Sequence, residues 1–216
     1  VENLINIKII DYGMGNIQSV KNAFELLNSK VEIISDPSNI KNADGIILPG
    51  VGNFSNAMKN LKERKLIEPL KEVVIDQKVP ILGICLGMQL LADNSEEGGI
   101  NEGLSCIAGK ICKIPHVEGY RLPHVGWNDV AVKKKGPLFR NIIDKGSFYF
   151  VHSYSFECDD EFVVATTNYG QSINAAVRKE NVFGVQFHPE RSQRKGLHLI
   201  NNFVSYIKTQ KYNKQC

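Results

Sequence analysis

Apolar runs and polar breaks alternate in a βα rhythm through the first half of the chain. Ile5 to Asp11 is a mainly apolar run that ends in the glycine-rich stretch Tyr12-Gly13-Met14-Gly15-Asn16, as a buried strand does. Ile17, Val20, Phe24 and Leu27 then recur at helical spacing. Val31 to Ile34 is β-branched and ends at Asp36-Pro37, and Gly45 to Leu48 is a further buried strand stopped by Pro49-Gly50. Helices are predicted from Ser55 to about Arg64 and from about Leu66 to Ile75. Val79 to Cys85 reads as a strand, interrupted but not excluded by Pro80, and Leu86 to Leu91 opens a helix. Such alternation implies a parallel sheet with helices on both faces.

The second half is richer in strands. Candidates are Lys110 to Ile114, Gly126 to Val132, Phe148 to Tyr154, Phe162 to Thr167, Ile173 to Arg178 and Val182 to Phe187. A closing helix runs from about Gln193 to Thr209, with Leu197, Ile200, Val204 and Ile207 as its apolar stripe. No internal repeat or low-complexity linker divides the chain. The expected fold is therefore α/β: a single domain over 1–216, with a mostly parallel central sheet, helices on both faces and antiparallel additions in the second half.

Composition narrows the function classes. A chain of 216 residues suits one domain. Its 43% hydrophobic and 23% charged residues exclude general disorder, which is expected only in the polar tail from Lys208 to Cys216. A net charge of +3 is too small to argue for nucleic acid, and Lys133-Lys134-Lys135 reads as a solvated turn. No apolar run approaches the ~20 residues needed to span a bilayer. Val1-Glu2-Asn3-Leu4 does not form a charged n-region followed by an apolar h-region, so a signal peptide is not expected from these residues. A cytoplasmic setting with reduced thiols is expected. The five cysteines, Cys85, Cys106, Cys112, Cys158 and Cys216, are odd in number and lack CxxC spacing, so neither a disulfide framework nor a zinc site is indicated.

One cysteine stands apart. Gly83-Ile84-Cys85-Leu86-Gly87 joins a predicted strand to a predicted helix and has the form G-x-C-x-G, the thiol counterpart of the nucleophile elbow. A sharp turn there lifts the side chain above the sheet edge. The helix N-terminus favours a thiolate, and the free N–H of Leu86 is an oxyanion donor. The bland alternative is a strand-end cysteine that packs as a small hydrophobe.

An ordinary thiol is mostly protonated at neutral pH and needs a base. His188 supplies a candidate in Phe187-His188-Pro189-Glu190, again at the end of a strand-like run. Pro189 biases His188 toward extended backbone, and residues two apart in extended chain share a side, so Glu190 can face the imidazole. The glutamate would hold the tautomer and stabilise the imidazolium. Alone, the motif reads equally as a structural turn histidine. The glycine turn Pro49-Gly50-Val51-Gly52-Asn53-Phe54 follows another strand. It can aim a second oxyanion donor, from Val51 or Gly52, or serve as a plain βα turn with a helix cap. It is not a phosphate loop, since no Gly-Lys-Ser/Thr follows. Gly13-Met14-Gly15 lacks the dinucleotide fingerprint.

Together the turn at 49–54, the elbow at 83–87 and His188-Pro189-Glu190 resemble the class I, triad-type glutamine amidotransferases. The match narrows to the glutaminase subunits of imidazole glycerol phosphate synthases. It does so through Asp11-Tyr12-Gly13-Met14-Gly15-Asn16, Gly87-Met88-Gln89-Leu90-Leu91, Pro123-His124-Val125-Gly126-Trp127-Asn128, Tyr149-Phe150-Val151-His152-Ser153-Tyr154 and Phe187-His188-Pro189-Glu190-Arg191-Ser192. The likeness runs from about Ile5 to Tyr206.

The resemblance implies that Cys85 attacks the side-chain amide of glutamine and that His188 carries the proton to the departing ammonia. It implies that Val51 and Leu86 hold the oxyanion, and that Gly52, Gln89, Glu97, Ser153 and Tyr154 hold the substrate. It places Asn16, His124, Trp127 and Arg191 toward a (β/α)8 barrel cyclase subunit that receives the ammonia. No metal or organic cofactor is implied. From its residues alone, Trp127 reads equally as a core or strand-pairing aromatic.

The chain departs from the family pattern at Asn53, Arg121 and Asp93-Asn94. These departures spare the triad but leave open a paralogous role, feeding ammonia to a sugar amidotransferase of surface-glycan synthesis. A cysteine peptidase or acyl hydrolase on a similar elbow, a non-catalytic regulatory subunit, and a flavodoxin-like cofactor binder, which would explain the sheet but not the His-Pro-Glu motif, are the other competing readings.

Overall fold

The computed structural model describes residues 4–142 and 146–213. The aliphatic runs of the first half become β1 (Asn6–Ile10), β2 (Lys30–Ile34), β3 (Gly45–Gly50) and β4 (Ile81–Cys85). Between them lie α1 (Ile17–Glu25), α2 (Phe54–Glu63) and α3 (Ile67–Lys71), and α4 (Leu86–Gln89) follows β4 directly. The second half supplies β5 (Asn94–Ser95), β6 (Asn101–Glu102), β7 (Lys110–Lys113), β8 (His124–Val132) and β9 (Gly146–His152). It continues with β10 (Tyr154–Glu157), β11 (Val163–Asn168), β12 (Ser172–Lys179) and β13 (Val182–Val185), and closes with α5 (Gln193–Asn213).

One sheet runs in the order β2-β1-β3-β4-β13-β12-β11-β8-β9. Its pairings from β2 to β13 are parallel and those from β13 to β9 antiparallel. The sheet is thus mixed: a parallel part of five strands carries the antiparallel additions expected of the second half, which make up four of its eight pairings. The strand β9 shows why: it alternates strictly between buried and half-buried positions, the signature of a sheet with one face packed, whereas β3 and β4 are buried throughout. Successive residues of the buried strands feed cores on opposite faces, Ile46 and Leu48 on one side and Ile47 on the other. The first core packs α2, α3 and α4, and the second packs α1 and α5.

Three local expectations change. The strand expected from Phe148 to Tyr154 breaks at Ser153, with β9 in the large sheet and β10 in a small one ordered β10-β7-β5-β6. The helix expected from Leu66 to Ile75 widens into a π-turn over Glu72–Asp76, which lets the consecutive Val73 and Val74 both reach the core. Asn181 Nδ2 bonds the Val74 and Val79 carbonyls nearby, each at 2.9 Å. The tail is ordered further than expected. The helix α5 continues through Asn213, with Ile207 buried and Lys211 paired to Asp44 at 2.8 Å; residues 214–216 lie outside those described. No helix among the described residues is long and apolar enough to cross a membrane.

Candidate active site

Parallel register sets the site at the carboxyl ends of the central strands. Gly50 pairs with Cys85 between β3 and β4, and Ile84 pairs with Val185 between β4 and β13. The glycine turn, the thiol and the His188 segment therefore leave the sheet side by side. Open α/β sheets bind ligands at such strand ends.

Cys85 sits at φ +54°, ψ −111°, a region that costs a non-glycine residue about 1–3 kcal/mol. Close packing around the elbow maintains it. A Cβ on Gly87 would lie 1.7 Å from the Leu48 carbonyl oxygen, and one on Gly50 would lie 2.2 Å from the Tyr12 hydroxyl. The glycines let α4 and the 49–52 turn press together beneath the sulfur.

His188 Nδ1 lies 2.8 Å from Glu190 Oε1, with both side chains almost fully buried. The route differs from the extended dipeptide expected from sequence. Only His188 is extended; Pro189–Arg191 forms a 3-10 turn that brings the carboxylate back to the ring. Ser192 pins this turn: its Oγ donates to the His188 carbonyl at 2.6 Å and accepts from Tyr149 N at 3.0 Å. The other ring nitrogen, Nε2, has no hydrogen-bond partner among the described residues. Burial disfavours the imidazolium, but interaction with the Cys85 sulfur and with Glu190 outweighs it and lifts His188 from 6.5 to about 10. The sulfur on one side and the carboxylate on the other thus favour the imidazolium form of His188 over the neutral ring.

A cavity of about 270 Å³ opens over the sulfur, slightly under the ~300–1,000 Å³ of drug-sized pockets and suited to an amino acid. Val51, Gly52, Leu86, Gln89, Glu97, Ser153 and Tyr154 line it, as do Pro123, Val151 and His152. Every residue expected to touch substrate or oxyanion is thus gathered around Cys85. Glu97 also accepts from Phe54 N at 2.7 Å, at the first turn of α2. Asn53, one of the departures noted above, caps the same helix through Asn56 N.

A family model described as Glutamine amidotransferase class-I matches residues 8–206. The chain belongs to this family. It is 48% identical to the imidazole glycerol phosphate synthase subunit HisH 1 of Campylobacter jejuni over 198 residues, covering 92% of this chain and 98% of that protein. It is 49% identical to subunit HisH of Haemophilus influenzae, over 94% of this chain and 99% of that protein. Among solved structures, PurLQS from Thermotoga maritima superimposes with a TM-score of 0.72 at 20% identity, covering 94% of this chain and 99% of that one; this likeness concerns the fold alone.

Outside the cavity, this amidotransferase distributes the remaining expected residues unevenly. Trp127 is half exposed on β8 and meets Tyr149 edge-on at 6.2 Å. The exposed Arg191 stacks its guanidinium over the same Tyr149 at 4.4 Å. Asn16 is exposed and caps α1. His124, expected to face a partner, is instead buried between the rings of Phe150 and Tyr169. Its Nδ1 lies 3.0 Å from His152 Nε2, and His152 Nδ1 lies 2.8 Å from the Tyr154 carbonyl. That carbonyl can only accept, so His152 carries its proton on Nδ1 and His124 donates to it. The second nitrogen of His124 then accepts from Asn128. Burial pushes both imidazoles down to about 4, so the chain is neutral.

Three residues near the thiol escape sequence reading. Tyr12 donates to the Pro49 carbonyl at 2.8 Å; burial first, and the charge of Cys85 second, push its hydroxyl far up, so it remains a donor. His152 lines the cavity. Gln186 donates to the Cys85 sulfur at 3.7 Å. Only Gln186 had a visible signal: a lone amide in the apolar run Val182 to Phe187 must find partners if buried.

Proposed function

We propose that this chain is the glutaminase subunit of an imidazole glycerol phosphate synthase, working as one glutamine amidotransferase domain over 1–216. Cys85 attacks the carboxamide carbon of glutamine. The proton on His188 passes to the departing nitrogen, ammonia leaves, and a glutamyl thioester remains. Water then attacks the thioester with His188 as base, releasing glutamate and restoring the thiol. Backbone N–H groups of Val51 and Leu86 hold the oxyanion, while Gly52, Gln89, Glu97, Ser153 and Tyr154 hold the substrate. The observation that carries this reading is the strained Cys85 beside the buried His188–Glu190 pair, inside an amino-acid-sized cavity. The names of the relatives supply the pathway. A reduced thiol fits a cytoplasmic setting.

Ammonia is mostly protonated near neutral pH, and ammonium is not a nucleophile, so the product must reach its acceptor away from water. The exposed Trp127 and Arg191 flank the half-buried Tyr149 in an aromatic and cationic cluster, the residue types that anchor interfaces. We assign this face, together with Asn16, to a (β/α)8 barrel cyclase subunit. The chain mixed with the cyclase of the same genome, glutamine and the histidine-pathway nucleotide should yield imidazole glycerol phosphate. Trp127→Ala, at an exposed site, should weaken the nucleotide-stimulated glutaminase rate without lowering thermal stability. Failure of glutamine, but not ammonia, to support synthesis with any cyclase from that genome would assign the chain to another acceptor, such as a sugar amidotransferase.

A further inference from the structure

Gln186 is fully buried in the segment linking β13 to His188, and neither the triad nor the substrate contacts use it. We propose that Gln186 is a further catalytic residue, whose side-chain N–H donates to the Cys85 sulfur and favours the thiolate over the thiol. This rests on the reading of Cys85 as nucleophile.

The orientation of the amide follows from an obligate acceptor. The Tyr154 carbonyl lies 3.1 Å from a terminal atom of Gln89; a carbonyl oxygen only accepts, so that atom is Nε2. The same nitrogen lies 3.0 Å from Gln186, whose facing atom is therefore Oε1. Nε2 of Gln186 is left pointing at the sulfur, 3.7 Å away. Among the described residues, no other side-chain N–H makes a hydrogen bond of full geometry to this sulfur.

Two contacts pull the sulfur in opposite directions. The Val151 carbonyl also lies 3.7 Å from Sγ. A thiol can donate its proton there, whereas a thiolate meets only a carbonyl dipole of the wrong sign. A neutral sulfur is a weak acceptor and a thiolate a strong one, so the Gln186 donor acts the other way. His188 supplies the counter-charge, Tyr12 stays protonated, and His152 is neutral. The Glu97 carboxylate across the cavity is engaged by Phe54 N. Gln186 tips this balance without adding charge.

The test is the pH profile of Cys85 alkylation by iodoacetamide, read on the Cys85 peptide by mass spectrometry, in the full-length chain. Gln186→Met keeps length and loses the donor. Gln186→Glu keeps an acceptor for Gln89 and sets a carboxylate against the sulfur, and it decides the matter if the methionine variant fails to fold. Alkylation at neutral pH should slow roughly tenfold in Gln186→Met, the usual scale of a hydrogen bond to a charged group. It should slow further in Gln186→Glu. Both midpoints should move to higher pH, and all rates should converge in alkali. Profiles that superimpose on the parent, or a slowing that persists unchanged in alkali, would overturn the proposal and leave Gln186 a packing residue. No glutamine is present in this assay, so it decides the role of Gln186 independently of whether the chain hydrolyses glutamine.

Discussion

Cys85→Ala should reduce glutamine hydrolysis to background, roughly a million-fold by comparison with removal of other triad nucleophiles. It should leave ammonia-dependent synthesis by the complex intact. Cys85 alone among the described cysteines has a left-handed backbone at a strand–helix junction and opens into the cavity. The others are held as thiols: burial pushes Cys106 and Cys158 up to about 11, and burial leads the upward shift of Cys112. Alanine is smaller than cysteine and carries no strain penalty beyond that already present, so the fold should persist. Parallel assays with glutamine and with ammonium at high pH check both halves, and sustained glutamine turnover by the variant would refute the assignment.

His188→Ala should cost acylation at least the ~10²–10⁴-fold typical of general acid–base catalysis. Glu190→Gln should cost less. Histidine both holds the thiolate by charge and delivers the proton to the leaving nitrogen. Glutamate touches only Nδ1, at 2.8 Å, and a glutamine oxygen can still accept that N–H. What the amide loses is the charge that helps hold His188 protonated. Single-turnover acylation rates for the two variants should fall in that order; the reverse order would mean that Glu190 takes part in proton transfer itself.

The sequence displays the parts of this site whose signal is local. The elbow, the glycine turn and the His-Pro-Glu motif each sit where a strand run ends, and a βα rhythm brings strand ends to one edge. What it conceals is non-local. The small sheet arises because Ser153 breaks one strand-like run into β9 and β10, carrying Val151 to Tyr154 past the thiol. Nothing in the alternation of Phe148 to Tyr154 marks that break. His124 illustrates a related difficulty: a motif shows which residues travel together but not which way each faces. On β8 the exposed positions are Val125, Trp127 and Asp129, so His124 and Asn128 turn inward and join His152 in a neutral relay. Gln186 went unread although a lone amide in an apolar run is a signal, and its target depends in any case on the register of β4 against β13. The mixed sheet follows the same rule, since strand direction in the second half is set by pairings far apart in sequence.

Turnover of glutamine by this site passes through a covalent glutamyl–Cys85 thioester. Rapid acid quench of the complex during glutamine turnover, followed by peptide mass spectrometry, tests it most directly. A glutamyl adduct confined to the Cys85 peptide, accumulating when hydrolysis is slowed and absent with ammonia as nitrogen source, is the expected result. Glutamine turnover with no adduct under those conditions, or an adduct on Cys106, Cys112 or Cys158 instead, would contradict it.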